Sequence, residues 1–473
     1  MTREHKTSKS LNRRTFLSGT AAAAAAGLAG CSGNGNGNGN GNGGSQSLDF
    51  WLFGGTPAER EYISSHYNNY EEADIQYEHQ EWGQKFQIIA SASANNNLPD
   101  VMSGQGIEIP DYVGASAISP LDDNGFDEDR LAEINDAFIE ANIDTLRYSD
   151  LGDYDGEHQY ALPGGYADMG PFVDIRTDYM EQTSFDEPPR TWDELLQLAE
   201  EMQELDEVDA AITTSGNDQG LTTGYFIGFV YANGGRYFDP ETMEATVNEP
   251  GFVDAVRLYQ DIAEADMFPN AIAENNHIEA GRRLIQGNSG IFITYSHANA
   301  VMETIDAPEE WYDGEGHIVT RAPLPESPSG QFEPRDLLIQ NAQAFMLAEG
   351  QDSGAETEAA LDFIEWWSQE DELAPWSGEP DVGIRGRVPT LQSAFDDPPE
   401  LMQTQFGDLV TLYDDNELFN NTTRFPSFEG LASIQSRINR SVLQPVMLGD
   451  ATAEEACNDA NEAVQEIIDD NLA

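Results

Sequence analysis

The sequence predicts an α/β protein built on mostly parallel sheets, and three observations carry that prediction. Its folded part opens strand, helix, strand, helix, strand, the order that right-handed crossovers turn into a parallel sheet. The 473 residues, 39% hydrophobic and 10% aromatic, suffice for two to four domains with real cores. No internal repeat at a fixed period points to a solenoid or propeller.

Leu48-Asp49-Phe50-Trp51-Leu52-Phe53 is the first strand, stopped by Gly54-Gly55, and Pro57 starts a helix with acids in its first turn. Asp74–Glu78 is the second strand, a helix follows over about Lys85–Asn95, and Leu98–Met102 is the third strand. Asp155-Gly156, between the aromatic-bearing runs of Asp153–Tyr160, signals a hairpin. Thr191-Trp192-Asp193-Glu194 is a capping box that opens a helix through about Leu205. Asp209–Thr214 is strand-like, and an aromatic helix over about Thr223–Ala232 ends at Gly234-Gly235. After a helix begun by Asn248-Glu249-Pro250, Ser289–Thr294 and Gln343–Ala348 read as buried strands. A helix over about Ala355–Gln369 buries Leu361, Ile364 and Trp366, and Thr452-Ala453-Glu454-Glu455 caps the last one.

Charge excludes one class of partner. The chain carries 86 Asp and Glu against 22 Lys and Arg, a net charge of −64. Phosphate backbones and anionic headgroups repel such a surface. Self-repulsion on this scale is tolerable where salt shortens the Debye length to about 3 Å, so the composition predicts a halophile's protein. The first residues invert the balance, with Arg3, Lys6, Lys9, Arg13 and Arg14 against Glu4 alone. Arg13-Arg14 resembles a twin-arginine export signal, and the apolar run Phe16–Ala29 is too short to span a bilayer. Leu28-Ala29-Gly30-Cys31 resembles a lipobox whose Cys31 becomes a lipidated N-terminus. Residues 1–30 are therefore expected to be a signal peptide and 31–46, with Gly and Asn alternating from Gly33 to Gly43, a flexible tether.

The search for catalytic chemistry finds no His-Glu-x-x-His, Gly-x-Ser-x-Gly, Walker A loop, Cys-x-x-Cys or Gly-x-Gly-x-x-Gly. The seven His are scattered singly, so no metal and no cofactor is expected. Aromatic and polar residues at strand ends and in connectors remain, where open α/β sheets place ligands. They are Phe53, Gly55, Thr56, Trp82, Gln105, Tyr166, Asp168, Thr223, Tyr225, Tyr295, His297, Trp376, Arg385 and Arg387.

Several segments in this order resemble the extracellular solute-binding proteins of ABC importers, the sugar-binding, maltose-binding-protein-like family. They are Trp51 in the first strand, Asn97-Leu98-Pro99-Asp100-Val101, Ile118-Ser119-Pro120-Leu121-Asp122, Tyr160-Ala161-Leu162-Pro163 and Pro189–Leu195. Gly287–Ile291, Arg387-Val388-Pro389-Thr390 and Gly449–Ala456 continue the series over nearly the whole mature chain. The resemblance implies two α/β lobes closing on a ligand by a hinge, with crossings near Pro163–Tyr166, Ala322–Ser327 and Gly378–Pro389. It implies a first lobe of 47–165 and 328–378 and a second of 166–327 and 390–473. By position it places Phe53 to Thr56, Gln105, Tyr166 to Asp168, Thr223 to Tyr225 and Tyr295 to His297 in the cleft. Relatives often carry an acid and a base after the first strand and a Trp near 297, where this chain has Gly55, Thr56 and His297.

The function so implied is capture of a sugar or oligosaccharide by a lipid-anchored, monomeric binding protein outside the cell, and its delivery to a membrane permease. Tyr166, Tyr225 and Trp376 suit the sugar's C–H faces, and Asp168, Gln105, Arg385 and Arg387 its hydroxyls. The two Arg keep a peptide, polyamine or organic anion open as alternative solutes. An anchored glycoside hydrolase is the alternative from the enzyme class, since any chain with 86 carboxylates brings some pair to catalytic separation.

Overall fold

The computed structural model describes residues 46–55, 57–217, 219–296, 318–329, 338–350, 354–373, 388–396, 422–423 and 428–472. The expected signal peptide, most of the expected tether and the stretch 374–387 lie outside the described residues.

Two sheets organise the chain as two α/β lobes. The first lobe contains β1 (Gln46–Phe53), β2 (Ala73–Gln80), β3 (Val101–Gln105) and a small hairpin of β4 (Arg147–Ser149) and β5 (Glu157–Gln159). It also contains β6 (Ala161–Gly170), and the chain passes at once into β7 (Phe172–Arg176) of the second lobe, followed by β8 (Ile212–Thr213), β9 (Ile291–Thr294) and β10 (Val319–Pro323). It then returns to the first lobe as β11 (Leu338–Leu347), β12 (Val388–Pro389) and β13 (Thr422–Thr423). The first sheet has the order β12-β6-β11-β3-β1-β2 with β13 beside β11, and the second has the order β10-β7-β9-β8.

The sheets are mixed, which corrects the expectation of mostly parallel ones. The opening β1, β2 and β3 pair in parallel as their helical crossovers require. The strands that travel between lobes reverse direction: β11 runs antiparallel to both β3 and β6, and β7 antiparallel to both β9 and β10. A chain that leaves a sheet and comes back from the other lobe enters from the far end.

Strand alternation distributes the core. Leu48, Phe50 and Leu52 project to one face of the first sheet with Phe345, Leu347, Phe363 and Trp367. Trp51 and Phe53 project to the other with Ile89, Met102, Tyr112 and Met346. The expected elements form with modest shifts. Pro99 cannot donate to a ladder, so the third strand starts at Val101 and runs on to Gln105. The hairpin forms with a loop over 150–156, in which the Gly156 N–H donates to Asp150 Oδ1 at 2.8 Å and Gly156 takes φ +96°. Thr191 caps the helix Trp192–Gln203 by accepting from the Glu194 N–H. Ala453–Leu472 is opened by Thr452 and Glu455 in the reciprocal arrangement expected.

One core serves the second lobe, joining the helices Gln219–Ala232, Pro250–Glu264 and Ala453–Leu472 to β7 and β9. Its sheet encloses a charge pair with no solvent exposure. Arg321 of β10 faces its register partner Asp174 of β7 and donates from Nε and Nη2 to the two carboxylate oxygens at 2.8 and 3.0 Å. Removing one partner strands the other charge in the core. Arg321→Met is therefore expected to lower unfolding free energy in urea by about 3–5 kcal/mol, and the double variant with Asp174→Leu to recover most of that loss. An equal loss in single and double variants would contradict the pair's role.

Candidate functional site

The site grows from the point where β6 becomes β7. In the first sheet Asp168 of β6 is the register partner of Asn341 of β11, and Gln343 of β11 that of Gln105 at the end of β3. Three strands thus bring an acid and two amides together. Gln105 Nε2 donates to Asp168 Oδ2 at 3.0 Å, and Gln105 Oε1 accepts from Asn341 Nδ2 at 2.8 Å. Asn341 Oδ1 accepts the Ile107 N–H at 3.1 Å, which fixes the amide's orientation.

From Gln105 the contacts run outward along the first lobe. Its N–H donates to Glu108 Oε2 at 3.2 Å, the oxygen that also accepts from the Tyr112 hydroxyl at 2.8 Å. Glu108 Oε1 pairs with Lys85 Nζ, and that ammonium lies 3.1 Å from the centroid of the Trp82 ring. Burial pulls the Lys85 ammonium well down from its ordinary range, and the Asp111 carboxylate opposes this. Trp82 rests on Gly54, where φ is +76° and a Cβ would stand 3.1 Å from the indole. Only glycine combines that backbone with that approach.

On the second-lobe side, Tyr295 follows β9 and lies against the backbone at Gly170, where a Cβ would come within 2.6 Å of its ring. The Tyr295 hydroxyl donates to the Gly224 carbonyl at 3.0 Å, and its ring meets that of Tyr225 at 5.4 Å between centroids. Burial first, then the nearby Asp168 carboxylate and Tyr231, push the Tyr295 phenol far up. Asp168 therefore stands between the amides of one lobe and the tyrosine of the other. At the ends of β8 and β9, Thr214, Ser215 and Ser296 are buried hydroxyls.

The predicted site residues fall into three groups. Gln105, Asp168 and Tyr295 are joined through these contacts, Trp82 is linked to Gln105 through Lys85 and Glu108, and Gly55 is exposed beside Glu59 and Arg60 with φ +88°. Phe53, Tyr166 and Tyr225 are buried members of the hydrophobic cores in this conformation, as Tyr295 also is. Their alternation in strand or helix points them inward. Thr223 lies on the helix Gln219–Ala232, and its side chain, like Thr56, His297, Trp376, Arg385, Arg387 and Cys31, is outside the described residues. Sequence reasoning missed Lys85, Glu108 and Asn341. The short spacing from Gln105 to Glu108 is a capping signal that would have found one of them.

The lobes also touch beside the site. Asp111, on the first-lobe helix Ile109–Gly114, accepts the Ala432 N–H at 3.4 Å, in the first turn of the helix Leu431–Ile438. Glu429 reaches back to accept the Gly152 N–H at 3.0 Å. Burial pushes the Asp111 carboxyl up to about 8; the Ala432 N–H pulls it down, Glu429 pushes it further up and Lys85 pulls it down.

The family model for bacterial extracellular solute-binding proteins matches residues 65–405, and the chain belongs to that family. Solved structures agree on the fold. The maltose-bound MalE3 of T. maritima is 18% identical, covers 89% of this chain and 100% of its own, and superposes with a TM-score of 0.72. An ABC transporter solute-binding protein of Thermotoga lettingae bound with α-D-tagatose is 21% identical, with coverage of 90% and 100% and a TM-score of 0.70. The MalE sugar-binding protein of Xanthomonas citri is 17% identical, with coverage of 90% and 98% and a TM-score of 0.67.

The raised Asp111 carboxyl gives a signed prediction. A folded pKa above the unfolded value contributes stability that is present below about pH 4 and lost as pH rises through about 8. Asp111→Asn removes that dependence, so urea unfolding should show the variant gaining on the parent chain between pH 5 and 8. A difference constant with pH would contradict the assignment.

Proposed function

We propose that this solute-binding protein captures a sugar or oligosaccharide between its lobes and hands it, chemically unchanged, to a membrane permease. The observation that carries the reading is the Asp168–Gln105–Asn341 network at the crossing strand, with the Trp82 ring and Tyr295 to either side. A carboxylate flanked by two amides donates to and accepts from hydroxyls, and indole and phenol faces suit the C–H surfaces of a pyranose. Neutral polyhydroxylated solutes match this set better than anions, because the carboxylate would repel them. The maltose and tagatose named for the two Thermotoga structures support the same class.

Export by the twin-arginine route, lipidation at Cys31, a monomeric body on a Gly/Asn tether and a salt-adapted acidic surface complete the proposal, supported by the sequence signals. Among the described residues no helix is long and apolar enough to cross a membrane. The mechanism is a population shift. Open and closed forms coexist, and the solute favours the closed one because both lobes contact it only there.

Calorimetry and thermal shift against mono- and disaccharides in high salt test the reading. A binding sugar should raise the melting temperature, and Asp168→Ala should weaken it about tenfold or more through loss of a charge-assisted hydrogen bond. Trp82→Ala should weaken it by a similar factor. Binding of no carbohydrate, or binding indifferent to both substitutions, would contradict it.

A further inference from the structure

On the first lobe, and independent of solute capture, the structure assigns a second ligand. We propose that Asp122, Asp123 and His158 form a divalent-cation site of the class that takes Zn²⁺ or Co²⁺. One ligand atom from each lies within 4.8 Å of the others. His158 Nδ1 is 2.9 Å from Asp122 Oδ2 and 4.0 Å from Asp123 Oδ1. A cation about 2.0–2.2 Å from each donor spans ligand separations of about 3 to 4.4 Å, so these distances need only small adjustment.

His158 and Asp122 are held by groups that do not themselves bind the cation. His158 Nε2 faces the Asp155 carbonyl at 3.2 Å, the outer contact that keeps a metal-bound imidazole's proton on the far nitrogen. With both ring nitrogens protonated, Nδ1–H donates to Asp122 Oδ2 at 2.9 Å, and a cation bound between them takes the place of that proton. Asp122 Oδ1 is already occupied by the Gln159 N–H at 3.2 Å, which leaves Oδ2 for the cation. The Leu121 N–H donates to the Gln159 carbonyl at 2.8 Å, tying the acidic turn to β5 before anything binds. Tyr154 and Tyr160 stand edge-on to the imidazole at 5.9 and 6.4 Å between centroids and fix the plane of its ring.

The donor set selects the cation. One imidazole nitrogen with two carboxylates suits borderline ions such as Zn²⁺ and Co²⁺ better than Ca²⁺ or Mg²⁺, which take all-oxygen sets. His158 is only 14% exposed, Asp122 28% and Asp123 51%, so the site is open on one side and solvent can complete the coordination. A cation here would clamp the turn after Pro120 to the hairpin strand. The 36-position separation of Asp122 and His158 hides this grouping from any reading of ligand spacing along the sequence.

Co²⁺ titration of the chelator-treated full chain in high salt tests the site. The expected result is saturable visible absorption with one ion per chain, abolished by Zn²⁺. His158→Gln and Asp122→Asn should weaken binding at least about tenfold. Asp123→Asn, at an exposed position, should do the same, and Glu466→Gln on the exposed face of the last helix should change nothing. No saturable spectrum would mean that a proton alone occupies the gap and would overturn the proposal. Equal titration of the parent chain, His158→Gln and Asp123→Asn would assign the ions to the acidic surface at large and overturn it equally.

Discussion

The structure depends on one continuous stretch of chain that belongs to both sheets. β6 and β7 are separated only by Pro171, so the two lobes share a strand rather than a flexible linker. That junction is packed from the second lobe by Tyr295 against Gly170 and by the helix Gln219–Ala232 against Pro171. A Cβ on Gly228 would fall 2.2 Å from the proline ring. Glycine at both places lets the helix and the tyrosine reach the backbone of the crossing. The Tyr295 hydroxyl, bonded to the Gly224 carbonyl, locks them together. Asp168, two residues before Gly170, inherits its position from this constraint, and the amides of β3 and β11 are then set by register.

The same constraint explains why polar groups gather at the crossing. Side chains at a junction between two cores face neither core fully, so polar groups survive there if they satisfy one another. Gln105 bonds to both Asn341 and Asp168 in the present arrangement. Asp111 under the first turn of the helix Leu431–Ile438 adds a second place where the lobes meet, with an acid whose ionisation opposes its burial.

Much of the fold was legible because local signals and the global pattern agree. The alternating β1, the capping boxes at Thr191 and Thr452, and the glycines after Phe53 each specify one local outcome, and each outcome is found. Strand direction was not legible: β11 reads as a buried strand whichever way it is paired, and only the return from the second lobe makes it antiparallel. The polar network at the crossing was half legible. Gln105 and Asp168 stand out as polar residues at strand ends. Asn341 sits beside Asp168 through a pairing of strands distant in sequence, and Lys85 lies in what reads as an ordinary helix start. Aromatic type alone does not separate core from cleft at Phe53, Tyr166 and Tyr225, because a ring at the end of an element serves the core equally well.

Small-angle scattering of the mature chain in high salt, with and without a saturating carbohydrate that calorimetry shows to bind, tests the central claim most directly. Two lobes hinged on a shared strand predict a smaller radius of gyration with solute, fully reversed on dialysis, and a solute recovered with its mass unchanged. An unchanged radius on saturation, or a recovered solute that has been cleaved, would contradict the account.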